Sequence, residues 1–388
     1  MAWDSILAKD FCKSVRDGTH DTPKQMEMGY KLVTSKCIHD GFIFPEEAYF
    51  ISEKDYRAIN ERSLVEQWDV LMSMIGNGLG RSAVVKQKPD YAIKNLALFK
   101  VGDEYKAKWL HYYLSSPVGQ GLIYNSLQGS GQPFISLNLL RNFAIPNPPY
   151  EAIKKIVSVL ELYDNLIENN QKQIKLLEEA AQRLYKQWFI DLRYPGHETT
   201  PIVDGLPEGW RKEKLVDLAT VQFGYAFDGS LFNSNGIGTP IVRIRNIPDG
   251  ITNDYTTENA PNEYLINNGD IVVGMDGEFH INSWSGETSY LVQRSCCFKP
   301  RNPKMKGWLL WAIHDPIKFF EKTVVGATVA HLGKKHIDTI ELLTGPEKLY
   351  EPFQNLFCKR QTLLNQNRKL AESRNRLLPK LMNGELEV

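Results

Sequence analysis

The chain has 388 residues, 42% hydrophobic and 24% charged; at about 100–200 residues per domain this allows two or three domains and excludes a disordered or collagen-like chain. Forty-six basic residues balance 46 acidic ones, so no overall field marks the protein for nucleic acid and only local clusters can do so. Five cysteines without a C-x-x-C pair exclude a disulfide framework or zinc knuckle, and with no basic leader and no run near the roughly 18 apolar residues of a membrane span the expected setting is the cytoplasm.

From the N-terminus, Trp3 to Gly18 carries apolar residues at Ile6, Leu7, Phe11 and Val15, overlapping a turn-rich polar loop, Arg16–Lys24. Behind Gly29 the run Lys31–Ile38 reads as β-structure, as do Val70–Ile75 and Ala83–Val85, whereas Lys106–Leu114 reads as helix. Gly80–Lys108 holds seven basic residues against three acidic ones. After Pro148-Pro149, the residues Ile153, Ile156, Val157, Leu160, Tyr163, Ile167, Ile174, Leu177, Ala181, Leu184 and Trp188 step by three or four, with Gln171 at the one missing step. That is the period of a supercoiled seam. Tyr194-Pro195-Gly196 stops it and opens a Pro/Gly-rich linker that runs to Gly209.

The chain then repeats itself. Trp210–Gly224 answers Trp3–Gly18, Gly238–Ile247 answers Gly29–Ile38, Gly269–Met275 answers Trp68–Met74, and Gly326–Leu332 answers Gly131–Leu137. A second helical seam through Leu349, Phe353, Leu356, Leu363, Asn367, Leu370, Arg374, Leu377 and Leu381 answers the first, with Pro379 and Gly384 fraying its end. Matches in one order mean a two-fold repeat of roughly 195–210 residues. A second basic stretch, Arg294–Lys335, has nine basic residues against two acidic ones. Neither long helix can hide its apolar stripe alone, so the two are expected to pair as an antiparallel coiled coil with Gln171 and Asn367 as a polar layer, a globule at each end and a pseudo-two-fold axis between them. The expected division is 1–147 and 194–347 for the globules, with 148–193 and 348–388 for the helical segments. The fold class is α+β: two α/β globular domains joined by two long antiparallel coiled-coil helices.

Asn147-Pro148-Pro149-Tyr150 has the form of the tetrapeptide with which adenine-N6 methyltransferases hold a flipped base, and Gly76-Asn-Gly-Leu-Gly80 can pass for a cofactor loop. Against catalysis, the residues after Gly80 do not open a helix, Tyr150 runs straight into the long seam, and the repeat puts Thr344-Gly345-Pro346-Glu347 at the same place, which reads as a Pro-bearing helix entrance. Eight histidines lie scattered without metal-ligand spacing, and no Walker loop is present. The chain reads as a binder without catalytic, cofactor or metal residues of its own.

Nucleic-acid readout needs polar side chains that can reach base edges, backed by Lys and Arg on phosphates. Thr19, His20, Thr22 and Lys24 supply these in the first loop, and Gln222 and Tyr225 in its repeat partner. Lys36 of Thr34–Lys36 pairs with Arg243, Arg245 and Asn246, where strand alternation would place both arginines on one face. Arg81 and Lys88 belong to the first basic stretch; Gln132 and His331, with Lys334, form a third pair of loops. A stand-alone adenine methyltransferase and a coiled-coil adaptor without DNA remain as alternatives.

Along almost its whole length the chain resembles the specificity subunit of type I restriction-modification systems. The resemblance is carried by Asp17-Gly-Thr-His-Asp-Thr-Pro23 with Thr34-Ser-Lys36, Leu206-Pro-Glu-Gly-Trp210, Gly238–Ile247, Ile145-Pro-Asn-Pro-Pro149 and Leu377-Leu-Pro-Lys-Leu-Met-Asn-Gly-Glu385. It departs at Glu151-Ala-Ile-Lys-Lys, where family members usually show Glu-Gln. The resemblance implies that each globule reads half of a bipartite, asymmetric DNA target. It also implies that the helices set the gap and dock two modification subunits, which bind S-adenosylmethionine, and that restriction subunits using ATP and Mg join them.

Overall fold

The apolar runs become short strands closed by tight turns, and the long seams become helices that complete each half. The computed structural model describes residues 3–39, 41–76, 78–128, 133–324 and 330–386. The chain divides into one unit of Met1–Asn165 with Ala371–Val388 and a second of Leu166–Leu370, so each unit takes one globular half together with part of both long helices.

The first unit contributes β1 (Ser14–Asp17), β2 (Tyr30–Val33), β3 (Tyr49–Ile51), β4 (Val70–Ser73), β5 (Ser82–Val84), β6 (Tyr91–Ile93), β7 (Leu96–Lys100) and helix α1 (Glu104–Ser115). One antiparallel sheet runs β1-β7-β4-β5; a second runs β3-β2-β6, with β2 and β6 parallel. All four residues of β4 are buried, which explains its unbroken apolar run: a strand covered on both faces shows no alternation. Asp103 caps α1 by accepting from the Lys106 N–H at 2.9 Å. From α1 the buried Trp109 donates to the Pro146 carbonyl at 2.8 Å. Helix α2 (Tyr150–Tyr185, 36 residues) would reach about 54 Å at 1.5 Å per residue.

The second unit repeats this plan with β8 (Ala219–Phe223), β9 (Phe232–Asn233), β10 (Thr239–Val242), β11 (Tyr255–Thr256), β12 (Leu265–Ile266), β13 (Ile271–Gly274), β14 (Ile281–Ser283), β15 (Ser289–Leu291) and β16 (Ser295–Pro300). Helices α3 (Lys306–Ala312), α4 (His314–Thr323) and α5 (Glu351–Met382) follow. The sheet β8-β16-β13-β14 matches β1-β7-β4-β5, and the parallel pair β10/β15 matches β2/β6. The correspondence reaches single atoms. Lys100 Nζ meets Asp69 Oδ2 at 2.8 Å and Lys299 Nζ meets Asp270 Oδ2 at 3.8 Å. Each of these buried carboxylates also accepts the N–H three residues earlier, from Glu66 at 2.7 Å and from Asn267 at 2.9 Å.

Within each unit α2 and α5 run antiparallel. In the first, Ile153, Ile156, Val157 and Leu160 share a core with Leu378, Leu381 and Met382, and Asp164 accepts from Arg374 at 2.6 Å. In the second, Asn170 meets Asn367, Glu178 meets Arg360, and the Tyr185 ring meets that of Phe353.

The polar layer differs from the expected one. Gln171 is exposed, and the buried partner of Asn367 is Asn170, whose Nδ2 donates to Asn367 Oδ1 at 2.9 Å. The seam steps by three and then four from Ile167 to Asn170 to Ile174, so position 171 turns outward. The gap between Leu356 and Leu363 holds a charge: the buried Arg360 donates to Glu178 Oε1 at 2.7 Å, Ser283 Oγ at 2.6 Å and Asn282 Oδ1 at 2.7 Å. At the end of α2 a wide turn, Lys186–Ile190, shifts the register so that Phe189, beside Trp188, fills the core. Helix α5 continues through Pro379 to Met382.

Removing the Arg360 guanidinium takes one partner from each of Glu178, Ser283 and Asn282, while Ser283 keeps its bond to Gln361 and Asn282 its bond from the Ser283 N–H. Arg360→Ala is expected to cost about 1–3 kcal/mol, read as a lowered urea midpoint, whereas Gln171→Ala leaves that midpoint unchanged.

Candidate nucleic-acid interface

In the first unit the loop leaving β1 is pinned by a close backbone approach. A Cβ on Gly18 would fall 2.4 Å from the Ile93 carbonyl oxygen, so only glycine fits. Thr19 follows, bridged to Lys94, with its Oγ1 accepting from the Asp21 N–H at 3.1 Å. Lys94 Nζ donates to Thr22 Oγ1 at 2.5 Å. The exposed His20 places its two ring nitrogens 2.9 Å from Asn95 Oδ1 and 3.0 Å from Asp17 Oδ2. Thr19, His20 and Thr22 are therefore held by the Lys94-Asn95 turn, while Lys24 lies exposed farther along the loop.

Lys36 sits in a 3₁₀ turn, Ser35–Cys37, after β2, and Arg81 leads into β5. Both are exposed. Their segments meet at Gly78, where a Cβ would lie 3.5 Å from both the Ser35 carbonyl oxygen and Arg81 Cδ. Lys88 is exposed just beyond β5. Gln132 lies outside the described residues, next to the pair in which Gln128 and Phe134 exchange backbone hydrogen bonds at 2.9 and 3.0 Å.

The second unit keeps the frame and changes the chemistry. A Cβ on Gly224 would fall 2.1 Å from the Val292 carbonyl oxygen, the counterpart of Gly18. Gln222 Nε2 donates to the Leu265 carbonyl at 3.3 Å. The half-buried Tyr225 packs on Phe227 and Tyr264, with ring centroids 4.8 and 5.0 Å away.

The strand expected to carry Arg243 and Arg245 ends at Val242, and Ile244–Asn246 is a 3₁₀ turn. Asn246 Oδ1 accepts from the Arg243 N–H at 2.8 Å and closes that turn, so Arg243 and Arg245 do not share a strand face. Arg243 stacks over the Phe232 ring at 5.5 Å. Arg245 holds Asp254 by two bonds, of 3.1 and 2.5 Å, to a carboxylate that is nearly buried.

His331 Nδ1 lies 2.5 Å from Asp276 Oδ1, and Lys334 is exposed at the start of the short helix Lys334–Ile337. The repeat match read here is displaced by two residues: the bridges Ile75–Phe134 and Asp276–His331 pair Phe134 with His331. Thr328 lies outside the described residues.

Lys94, Asn95, Asp276 and Arg294, which touch the loop residues or one another, were not legible as their neighbours from the loops alone. Asn95 and Arg294 share a positive φ, 54° and 71°. They stand at equal distances before Phe99-Lys100 and Phe298-Lys299, a repeat match that would have found them.

The decoy resolves structurally. Gly76 and Gly78–Gly80 lie between the antiparallel strands β4 and β5 and open no helix, whereas Asn147 donates its N–H to the Asp4 carbonyl at 2.8 Å and Tyr150 begins α2 with its hydroxyl on Asp103 Oδ2 at 2.9 Å. Burial pushes the Cys12 thiol up to about 12 and raises Cys296 and Cys297 as well, which makes them poor nucleophiles. Among the described residues no group of His, Cys, Asp or Glu is placed to hold a metal, and no helix is long and apolar enough to cross a membrane.

A family described as the type I restriction modification DNA specificity domain matches the chain twice, over residues 4–179 and 207–346. The chain belongs to this specificity family. Among its relatives, the MjaIX specificity subunit of Methanocaldococcus jannaschii is 26% identical over 300 residues, covering 73% of this chain and 69% of the relative. The MjaVIII specificity subunit of the same organism is 24% identical over 286 residues, covering 71% of this chain and 64% of the relative. The crystal structure of a type I S subunit from M. genitalium superimposes with a TM-score of 0.53 at 14% identity, covering 98% of this chain and 95% of that one. The specificity family is a DNA-recognition family, and the methyltransferase reading of Asn147–Tyr150 gives way to it.

Because Arg245 is committed to Asp254, Arg245→Ala is expected to cost about 1–3 kcal/mol of stability, seen in thermal unfolding. Lys88→Ala is expected to weaken retention evenly on all duplexes and to reduce the slope of log affinity against log salt by about one.

Proposed function

We propose that the chain is the sequence-reading subunit of a type I restriction-modification complex and that each unit reads one half of a bipartite, asymmetric duplex target. The observation that carries this reading is the frame built twice, with Gly18 and Gly224 pinning equivalent loops while the side chains on those loops differ: His20 and Asn95 in one unit, Tyr225 and Arg294 in the other. Two readers of different base sequences need a common scaffold and divergent loops. In this reading the chain docks two modification subunits and the restriction subunits. S-adenosylmethionine, ATP and Mg belong to those partners, and the assembly works on cytoplasmic DNA.

The long segments 148–193 and 348–388 are proposed as the spacer between the two half-sites. Mapping methylated adenines in a host with and without the gene is expected to show one bipartite motif that depends on this chain; an unchanged methylation pattern would count against the reading. Deleting four residues from each of α2 and α5 is expected to alter the gap or abolish methylation. A change in the half-site bases at an unaltered gap would exclude the spacer role.

A further inference from the structure

We infer that Arg294, buttressed by Asp276 beside His331, reads a guanine in the half-site of the second unit; this rests on the DNA-reading function proposed above. Arg294 lies in the turn between β15 and β16 at φ 71°. Left-handed backbone suits glycine and asparagine, and a long side chain there carries strain. The first unit has Asn95 at the equivalent turn, with φ 54°. A bulky cation held in a conformation that asparagine satisfies more easily points to a role for the side chain itself.

The side chain is 59% exposed and makes its closest approach to a carboxylate through Nε, 3.5 Å from Asp276 Oδ2. The other carboxylate oxygen is taken by His331 Nδ1 at 2.5 Å. Among the described residues no hydrogen bond engages Nη1 or Nη2 of Arg294. The carboxylate thus orients the guanidinium and leaves its terminal fork for a ligand.

In the major groove guanine presents two adjacent acceptors, O6 and N7, whereas adenine presents an acceptor beside a donor. A two-donor fork selects guanine. Phosphate-binding charge is close at hand, since His331 is followed by the exposed Lys334 and Lys335. In the first unit the matching positions are Ile75, Asn95 and Phe134, with no cation and no carboxylate, so the two units differ in chemistry at one shared place.

The test uses the full chain assembled with its modification subunits and a plasmid library in which every target position is randomised, read by sequence-resolved adenine methylation. Arg294→Asn, which installs the first unit's residue and suits the left-handed backbone, is expected to lower discrimination at one G·C pair of one half-site by about 5- to 150-fold, leaving the other half-site unchanged. Asp276→Asn is expected to produce a smaller loss at the same pair. Arg294→Lys keeps the charge without the fork and is expected to relax that pair too, which covers an Asn variant that does not assemble. Wild-type base preference in the assembled variants, or an equal loss on every sequence, would overturn the assignment. A wild-type chain directing methylation to no defined motif would instead remove the DNA-reading function itself.

Discussion

A helix of more than thirty residues with one apolar stripe cannot stand alone in water, and covering that stripe is the constraint on which the remaining architecture depends. In the first unit Ile153, Ile156, Val157 and Leu160 are covered by Leu378, Leu381 and Met382 together with the Trp109 layer; in the second, Phe189, Tyr350, Phe353 and Phe357 join the core beneath β13 and β16. At about 25 cal/mol per Å² of apolar surface, these seams hold each globular sheet to its helices. They are interrupted where specificity of pairing matters more than burial. Asn170 bonds Asn367 across the helix pair, and the buried Arg360 bonds Glu178, Ser283 and Asn282, so a slip in register would leave polar groups stranded.

The framework so fixed frees the loops to vary. Gly18 and Gly224 are required by backbone approaches too close for any side chain, and the buried carboxylates Asp69 and Asp270 tie equivalent turns to equivalent lysines. The residues between these fixed points carry no such duty. His20 spans Asp17 and Asn95 in one unit, and Asp276 gathers His331 and Arg294 in the other. Side chains of different kinds are thereby mounted on one scaffold.

Much of this was legible in the sequence because burial leaves a period. The helical seams, the strands behind Gly29 and Gly238 and the repeat itself all reflect apolar positions whose spacing is dictated by geometry. What escaped reading depends on hydrogen bonds that leave no period. The 3₁₀ turns after β2 and β10 break runs that look like longer strands, because Asn246 closes a turn with its side chain. Arg245 reads as a free cation until Asp254, nine residues on, is seen to hold it. The periodicity alone does not separate Gln171 from Asn170, because a step of seven divides equally well as three and four or as four and three. The Asn147–Tyr150 motif misled for a related reason: a tetrapeptide carries chemistry only in its context, and here that context is the entrance to α2.

The central claim is that two units read separate half-sites independently. The most direct measurement exchanges residues 210–345 for the matching segment of another family member and maps the methylated sequence. The account predicts that one half-site changes while the other half-site and the gap between them persist. A change in both half-sites, or in neither, would contradict it.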